Sequence, residues 1–494
     1  MTFNPDFHRF KQSHILVVGD LMLDCYLWGD VQRISPEAPV PVFHISERSE
    51  VPGGAGNVVS NLAGLGCSVT VIGVCGNDDE AERLNHLLCG NKVQTHMVKD
   101  SKRPTATKTR IVSNGQQLLR LDNEEISTLD TNIRDALLNK INDTLSSCDA
   151  IILSDYGKGI FQTHGFAQSV ISSAQNYNVP VIVDPKGKDW DRYRGATCVT
   201  PNLKELETVY GDIIDGKAQL LMAMQSILEK YHLSWLLVTR GPLGMCLAKK
   251  EQEPVFIPSI AREVYDVSGA GDTVVATLSL GVASGLTFSE AAKLANVAAG
   301  IVVGKLGTQA INQLELKAAI EINGDGLSGP FMNKIASLSA ATIQVQAWKA
   351  NGEEIVFTNG CFDLLHPGHI HLMNRAKDLG DRLIVGVNAD ESVRRLKGAT
   401  RPILAESDRA SLLGSLNCVD LVVIFEDDTP ERLISTLKPN VLAKGADYTI
   451  DQVVGREIVE SYGGQVFLIP TLEGYSTTDI TNRILVANNA NPKF

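Results

Sequence analysis

At 494 residues, with 44% hydrophobic and 21% charged side chains, the chain has the composition of a globular protein and is too long for one ordinary core. A formal net charge of −12 argues against nucleic acid or an anionic membrane surface as the main partner, and no apolar run approaches the roughly 20 residues of a membrane span. Nine cysteines without a C-x-x-C pair fit neither a disulfide framework nor a zinc ribbon, and the polar start "MTFNPDFHRFKQSHILVVGD" lacks an export signal's apolar segment, so a cytoplasmic protein with free thiols is expected.

From His14 to Gly307 short apolar runs alternate with helical stretches: "ILVVGD", "VTVIGVCG", "AIILSDYG", "VPVIVDPKG", "WLLVTRGPLG". Such alternation predicts an α/β domain with a mainly parallel central sheet. Ligands on such sheets gather at the carboxyl ends of the strands, and Asp20, Asp155, Asp184 and Thr239 each end an apolar run.

In "VYDVSGAGDTVVATLSLGVASG", Gly269, Ala270, Gly271 and Asp272 stand just ahead of an apolar helical run. Glycines at a helix start let backbone N–H groups approach an anion, and a carboxylate beside that hole suits a general base for an attacking hydroxyl. Asp272 could equally be a helix cap, and both readings stand on these residues alone. Neither G-x-x-x-x-G-K-[ST] nor G-x-G-x-x-G occurs, which disfavours a P-loop and a dinucleotide fold.

Between Asn312 and Glu353 the strand rhythm fades, and the patch "NGDGLSGP" marks a break. The expected division is a first domain over 1–325, a linker over 326–351 and a smaller parallel domain over 352–494. In "FTNGCFDLLHPGHIH" of this last part, His366, His369 and His371 crowd together like a metal site. Pro367 suits the first turn of a helix, which puts His366 and His369 at a strand-to-helix junction and turns His371 elsewhere. Imidazoles there can donate to phosphate oxygens and offset charge in a transition state; zinc is the competing reading.

"DVSGAGDT" resembles the signature of the ribokinase-like sugar kinases, and "GDLMLD", "PGGAGNVVSNLAGLG", "PNLKE" and "TRGPLG" follow in that family's order. The resemblance implies Asp272 as base, with Gly269, Ala270 and Gly271 as the anion hole. It implies Asn202 and Glu205 near Mg²⁺ and phosphates, Thr239, Gly241 and Gly244 near ATP, and Asp24, Gly53, Gly54 and Asn57 on sugar hydroxyls. Lys108, Arg110, Arg120, Lys158 and Lys186 are candidates for a phosphate on the sugar.

"TNGCFDLLHPGHIHLMNRA", with "RLKGATRPI", "KGADY" and "GYSTTDI", is similar to the cytidylyltransferase-like branch of the H-x-G-H nucleotidyltransferases. This implies a Rossmann-like fold, His366 and His369 on the triphosphate, and a pocket shaped by Asn359, Gly360 and Phe362. Arg394, Lys397, Arg401, Ser476, Thr477 and Thr478 would meet phosphates, with Lys444, Gly445 and Asp447 near base or ribose. The pairing of the two domains resembles the bifunctional enzymes of ADP-heptose synthesis. That implies ATP and sugar phosphates as partners, Mg²⁺ arriving with ATP and possible contact through Glu205, no tightly bound organic cofactor and no metal site built of protein alone. A homodimer is expected. A different sugar kinase fused to a CTP-dependent transferase stays open.

Overall fold

The computed structural model describes residues 5–90, 92–113, 116–260, 266–305, 308–324, 334–446, 449–470 and 472, without the side chains of 321–324. Contacts divide the chain after Gln313 into two compact units.

In the first unit nine strands form one sheet, in the order Val255–Ile257, Met245–Lys249, Trp235–Thr239, Cys198–Val199, Val181–Asp184, Ala150–Ser154, His14–Gly19, Ser68–Cys75 and Val93–Lys99. All neighbours are parallel except at the Met245–Lys249 end, where two antiparallel pairs close the edge. The apolar runs form strands here because helices cover both faces. Leu16, Val18, Ile151 and Leu153 pack with the helices Thr131–Leu145, Phe166–Asn176 and Gly216–Lys230. Alternate positions turn the other way, where the helices Ala55–Gly64 and Ala270–Ala283 pack on the same strands. The register aligns Gly19 with Ser154 and Ser154 with Asp184, so Asp20, Asp155 and Asp184 share one carboxyl edge.

A second sheet stands apart in this unit, with four strands in the order Pro41–Gly54, Leu21–Ile34, Ala106–Ser113 and Gln116–Asn123. The apolar runs give no sign of it, because its outer parts mix polar and apolar residues, are exposed and present no buried stripe.

The second unit holds a six-stranded, wholly parallel sheet in the order Ile335–Ala336, Leu421–Phe425, Arg382–Asn388, Ile355–Gly360, Val441–Gly445 and Gln465–Ile469. Ile355 and Phe357 join one core cluster and Val356 another, as alternation across a two-sided sheet requires. The stretch expected as linker contributes to this body. Its described part supplies the strand Ile335–Ala336 and the helix Leu338–Ala350, whose Ala340, Ala341 and Val345 are buried in the core. Alanines and glutamines conceal that role, since a small-residue face looks no different from a polar linker helix. No helix among the described residues is long and apolar enough to cross a membrane.

Two candidate active sites at the carboxyl edges of the sheets

Asp272 is the third residue of the helix Ala270–Ala283, whose N-cap is Gly269 at φ 78°. That backbone conformation suits glycine, and a Cβ there would also lie 2.7 Å from the Asn57 amide nitrogen. The Asp272 carboxylate does not cap the helix. Its Oδ1 accepts from the Tyr156 hydroxyl at 2.5 Å and its Oδ2 from the Asn57 amide at 2.6 Å. Burial pushes the acid up to about 6, with Asp24 adding to the rise and the two hydrogen bonds opposing it. A buried carboxylate raised to about 6 at a helix start suits a base for a hydroxyl attacking a phosphoryl group.

Asp24 is buried at the start of the four-stranded sheet and pairs with Arg110 at 2.7 Å. Gly53 lies opposite Met22, and a Cβ on it would come within 2.4 Å of the Asp24 carboxylate, so only glycine lets the two strands meet over that acid. Gly54 ends the strand, and Asn57 follows on the next helix. Strand register puts Asp24, Lys108, Arg110 and Arg120 on one face of this sheet. Lys158, paired with Glu124 at 2.5 Å, is close enough to Lys108 to lower that lysine's pKa, together with burial. Arg120 is more exposed and pairs with Asp122 on its own strand. Lys186 lies elsewhere, bonded to Glu205 at 3.1 Å.

Asn202 and Glu205 form a reciprocal cap on the helix Leu203–Tyr210: the Asn202 carboxamide accepts from the Glu205 N–H, and Glu205 accepts from that of Asn202. Asn202 is also bridged to Thr239, which ends its strand ahead of the turn that contains Gly241 and Gly244. Asp184, half-buried at the end of its strand, is raised well above the ordinary carboxylate range by desolvation and then by Asp272 and Glu205. Among the described residues no three His, Cys, Asp or Glu side chains are grouped to hold a metal ion. Glu205 as one carboxylate beside nucleotide phosphates fits the way Mg²⁺ is usually bound.

In the second unit Asn359 and Gly360 end one strand, Asn388 its neighbour, and Lys444 and Gly445 another. Lys444 donates to the Asn359 carbonyl at 3.1 Å. His366 is the N-cap of the helix Pro367–Lys377, and its ring stacks on His369 with centroids 3.7 Å apart. Both Nδ1 atoms are buried without a partner among the described residues, as is the Asn359 carboxamide oxygen. Burial lowers both histidines, His369 to about 4 with help from His366 and Lys397. Phe362, at φ 47°, packs edge-on against His369 with centroids 5.2 Å apart. A non-glycine residue held there is strained by about 1–3 kcal/mol, which the surrounding packing must offset. His371 lies half-buried on the helix, outside the stacked pair.

The cationic candidates separate. Arg401 is bound to the buried Asp363 at 2.6 Å, and Asp363 also accepts from the Ile403 N–H, so this arginine anchors its own loop. Arg394 is exposed and pairs with Glu391, while Lys397 is exposed and electrostatically coupled to His369. Asp447, Ser476, Thr477 and Thr478 lie outside the described residues.

Sequence reasoning missed Tyr156 and Arg409, and gave Asp184 a place at the carboxyl edge without a role. Arg409 is fully buried and donates to the carbonyls of Leu404 at 3.1 Å and Cys361 at 2.5 Å and to Asp390 at 2.6 Å. It thereby ties the loop before the histidines to the loop that carries Arg401. Arg409→Leu would strand an acid and two carbonyls, so thermal denaturation should show the second unit destabilised by roughly 3 kcal/mol. An unchanged melting curve would remove Arg409 from this role.

Residues 12–314 match the profile described as pfkB family carbohydrate kinase, and residues 357–483 the one described as cytidylyltransferase-like. The chain is 47% identical to "Bifunctional protein HldE" of Geotalea uraniireducens across 97% of both chains. It is 46% identical to the protein of the same name from Ectopseudomonas mendocina, across 96% of this chain and 98% of the other. Among solved structures, phosphofructokinase-2 of Escherichia coli superposes with a TM-score of 0.54 at 20% identity, covering 62% of this chain and 98% of that one. Arabidopsis thaliana ribokinase superposes at 0.50 and 18% identity, covering 64% and 99%. At those identities the superpositions speak to the fold alone.

Proposed function

The chain belongs to the HldE family of bifunctional proteins, joining a pfkB carbohydrate kinase to a cytidylyltransferase-like domain, and from that membership we propose how its residues divide two chemistries. The protein is a bifunctional transferase of ADP-heptose synthesis for the lipopolysaccharide core. Its kinase phosphorylates C1 of heptose 7-phosphate, and its nucleotidyltransferase joins heptose 1-phosphate to AMP with release of pyrophosphate. ATP with Mg²⁺ serves both, and the cytoplasm is the compartment.

In the kinase, Asp272 takes the proton of the C1 hydroxyl while that oxygen bonds to the γ-phosphorus and ADP leaves. The helix start at Gly269–Gly271 faces the growing negative charge. Asp24, Asn57 and the Gly53–Gly54 turn hold sugar hydroxyls, and Lys108 and Lys158 take the 7-phosphate. Lys186, because it is bonded to Glu205, belongs instead with Asn202 at the nucleotide end. In the transferase, His366 and His369 donate to the triphosphate as the sugar phosphate oxygen attacks the α-phosphorus, and Lys397 adds charge beside them. The chain acts as a homodimer, a reading supported by exposed Ile34, Ile45, Leu119 and Leu121 on the four-stranded sheet.

The observation that carries this reading is the pairing, on one chain, of a buried Asp272 held by two donors with stacked His366 and His369, whose Nδ1 atoms have no partner among the described residues. An assay of ADP and pyrophosphate release over a panel of sugar phosphates, with ATP against CTP, tests it. Heptose phosphates with ATP should win at both sites; preference for another sugar, or for CTP in the second reaction, would overturn it.

Acid should silence the kinase first. Asp272 works only when ionised and is pushed up to about 6, so kinase kcat/KM should be level above that pH and fall below it by about tenfold per pH unit. Initial rates of ADP release from pH 5 to pH 8.5 read this directly, and a flat profile across pH 6 would contradict it.

A further inference from the structure

The loop Asp155–Gly159 is held more tightly than a connection needs. Asp20 Oδ2 accepts from the Tyr156 N–H at 2.8 Å and the Lys158 N–H at 3.0 Å, and Asp155 accepts from Gly157 at 2.7 Å. Gly159 donates to Gln162 at 2.9 Å, and Arg103 donates to the Lys158 carbonyl at 3.2 Å. What this grip delivers is the Tyr156 hydroxyl, 2.5 Å from Asp272 Oδ1.

We propose that Tyr156 is a positioning residue of the kinase, whose phenol fixes the Asp272 carboxylate and sets the pH at which that site becomes active, an inference that rests on Asp272 being the base. The surroundings of Asp272 explain why a donor is needed. Its charged neighbours are acids, Asp24 on the four-stranded sheet and Asp184 at the end of a central strand, and burial also disfavours its ionised form. Against these stand the two donors, Asn57 from the helix Ala55–Gly64 and Tyr156 from the gripped loop. A hydrogen bond to the ionised form favours it. Burial holds the phenol well above its ordinary range, so Tyr156 keeps its proton throughout. The substrate hydroxyl's proton ends on Asp272, the γ-phosphoryl group on the sugar oxygen, and ADP departs.

The test is the pH profile of ADP release from heptose 7-phosphate and ATP–Mg²⁺ for the full chain carrying Tyr156→Phe. Pyrophosphate release from heptose 1-phosphate and ATP reports on the integrity of the other unit. The acid limb should move up by about one pH unit, with the rate recovered at high pH and the sugar's KM unchanged. A profile that superimposes on the original, or a loss uniform across pH, overturns the proposal. A fluorotyrosine placed at 156 is a stronger donor and should move the limb down. If the phenylalanine variant does not fold, that shift decides, and an unmoved limb overturns the idea. Failure of the underlying reading looks different: an Asp272→Asn protein that still turned over would remove the base itself, whatever Tyr156 does.

Discussion

Asp272→Asn is expected to lower ADP formation from heptose 7-phosphate by about 10³-fold, the scale of losing a positioned general base, while leaving pyrophosphate release from heptose 1-phosphate and ATP unchanged. The substitution keeps the shape of a residue packed between Tyr156 and Asn57, so substrate binding should suffer far less than turnover. Steady-state kinetics of both reactions on one preparation separate the outcomes. Loss of both activities in a folded protein would refute two independent sites. Loss through KM alone would recast Asp272 as a binding residue.

The second large effect runs the other way. His369→Ala should cost nucleotidyl transfer about 10²–10³-fold, as removal of one preorganised donor to a developing charge does, with the kinase untouched. Burial, His366 and Lys397 keep the free imidazole neutral to about pH 4, so in the resting site His369 offers one N–H donor and no charge. Its contribution therefore comes from fixed orientation, which the stacked His366 ring and the edge of Phe362 supply. His371→Ala, on the same helix and outside that stack, is the control and should leave both rates within twofold or so. An equal loss at His371 and His369 would mean that the helix as a whole is being disturbed.

Much of this was legible in residues alone. The buried parallel strands advertise themselves as unbroken apolar runs, and Pro367 sorts the three histidines before any coordinates exist. Gly269 and Asp272 could be placed at a helix start, but only the three-dimensional partners show that the Asp272 side chain does not cap that helix. What could not be read depends on contacts between distant residues. Tyr156 meets Asp272 across 116 positions of sequence, and its segment gave weight only to Asp155 and Lys158 on either side of it. Arg409 sits in a stretch that looks like a solvated helix face and is nonetheless wholly enclosed, because its acceptors come from two separate loops and the start of the helix Asp390–Lys397. The four-stranded sheet escaped for a related reason: its strands are largely exposed at their outer ends and show no buried hydrophobic stripe, so the close approach of Gly53 to Asp24 is visible only in three dimensions.

The helix Ala270–Ala283 is buried from Asp272 through Gly281, and at Gly281 a Cβ would come within 2.9 Å of that of Ala291 on the following helix. Asp272, the proposed base, is thus mounted on a structural beam rather than on an adjustable loop. Sequence drift along this beam is read twice, once as fold stability and once as the aim of the base. The exposed outer strands of the four-stranded sheet have room to vary, whereas the inner helix offers almost no neutral path.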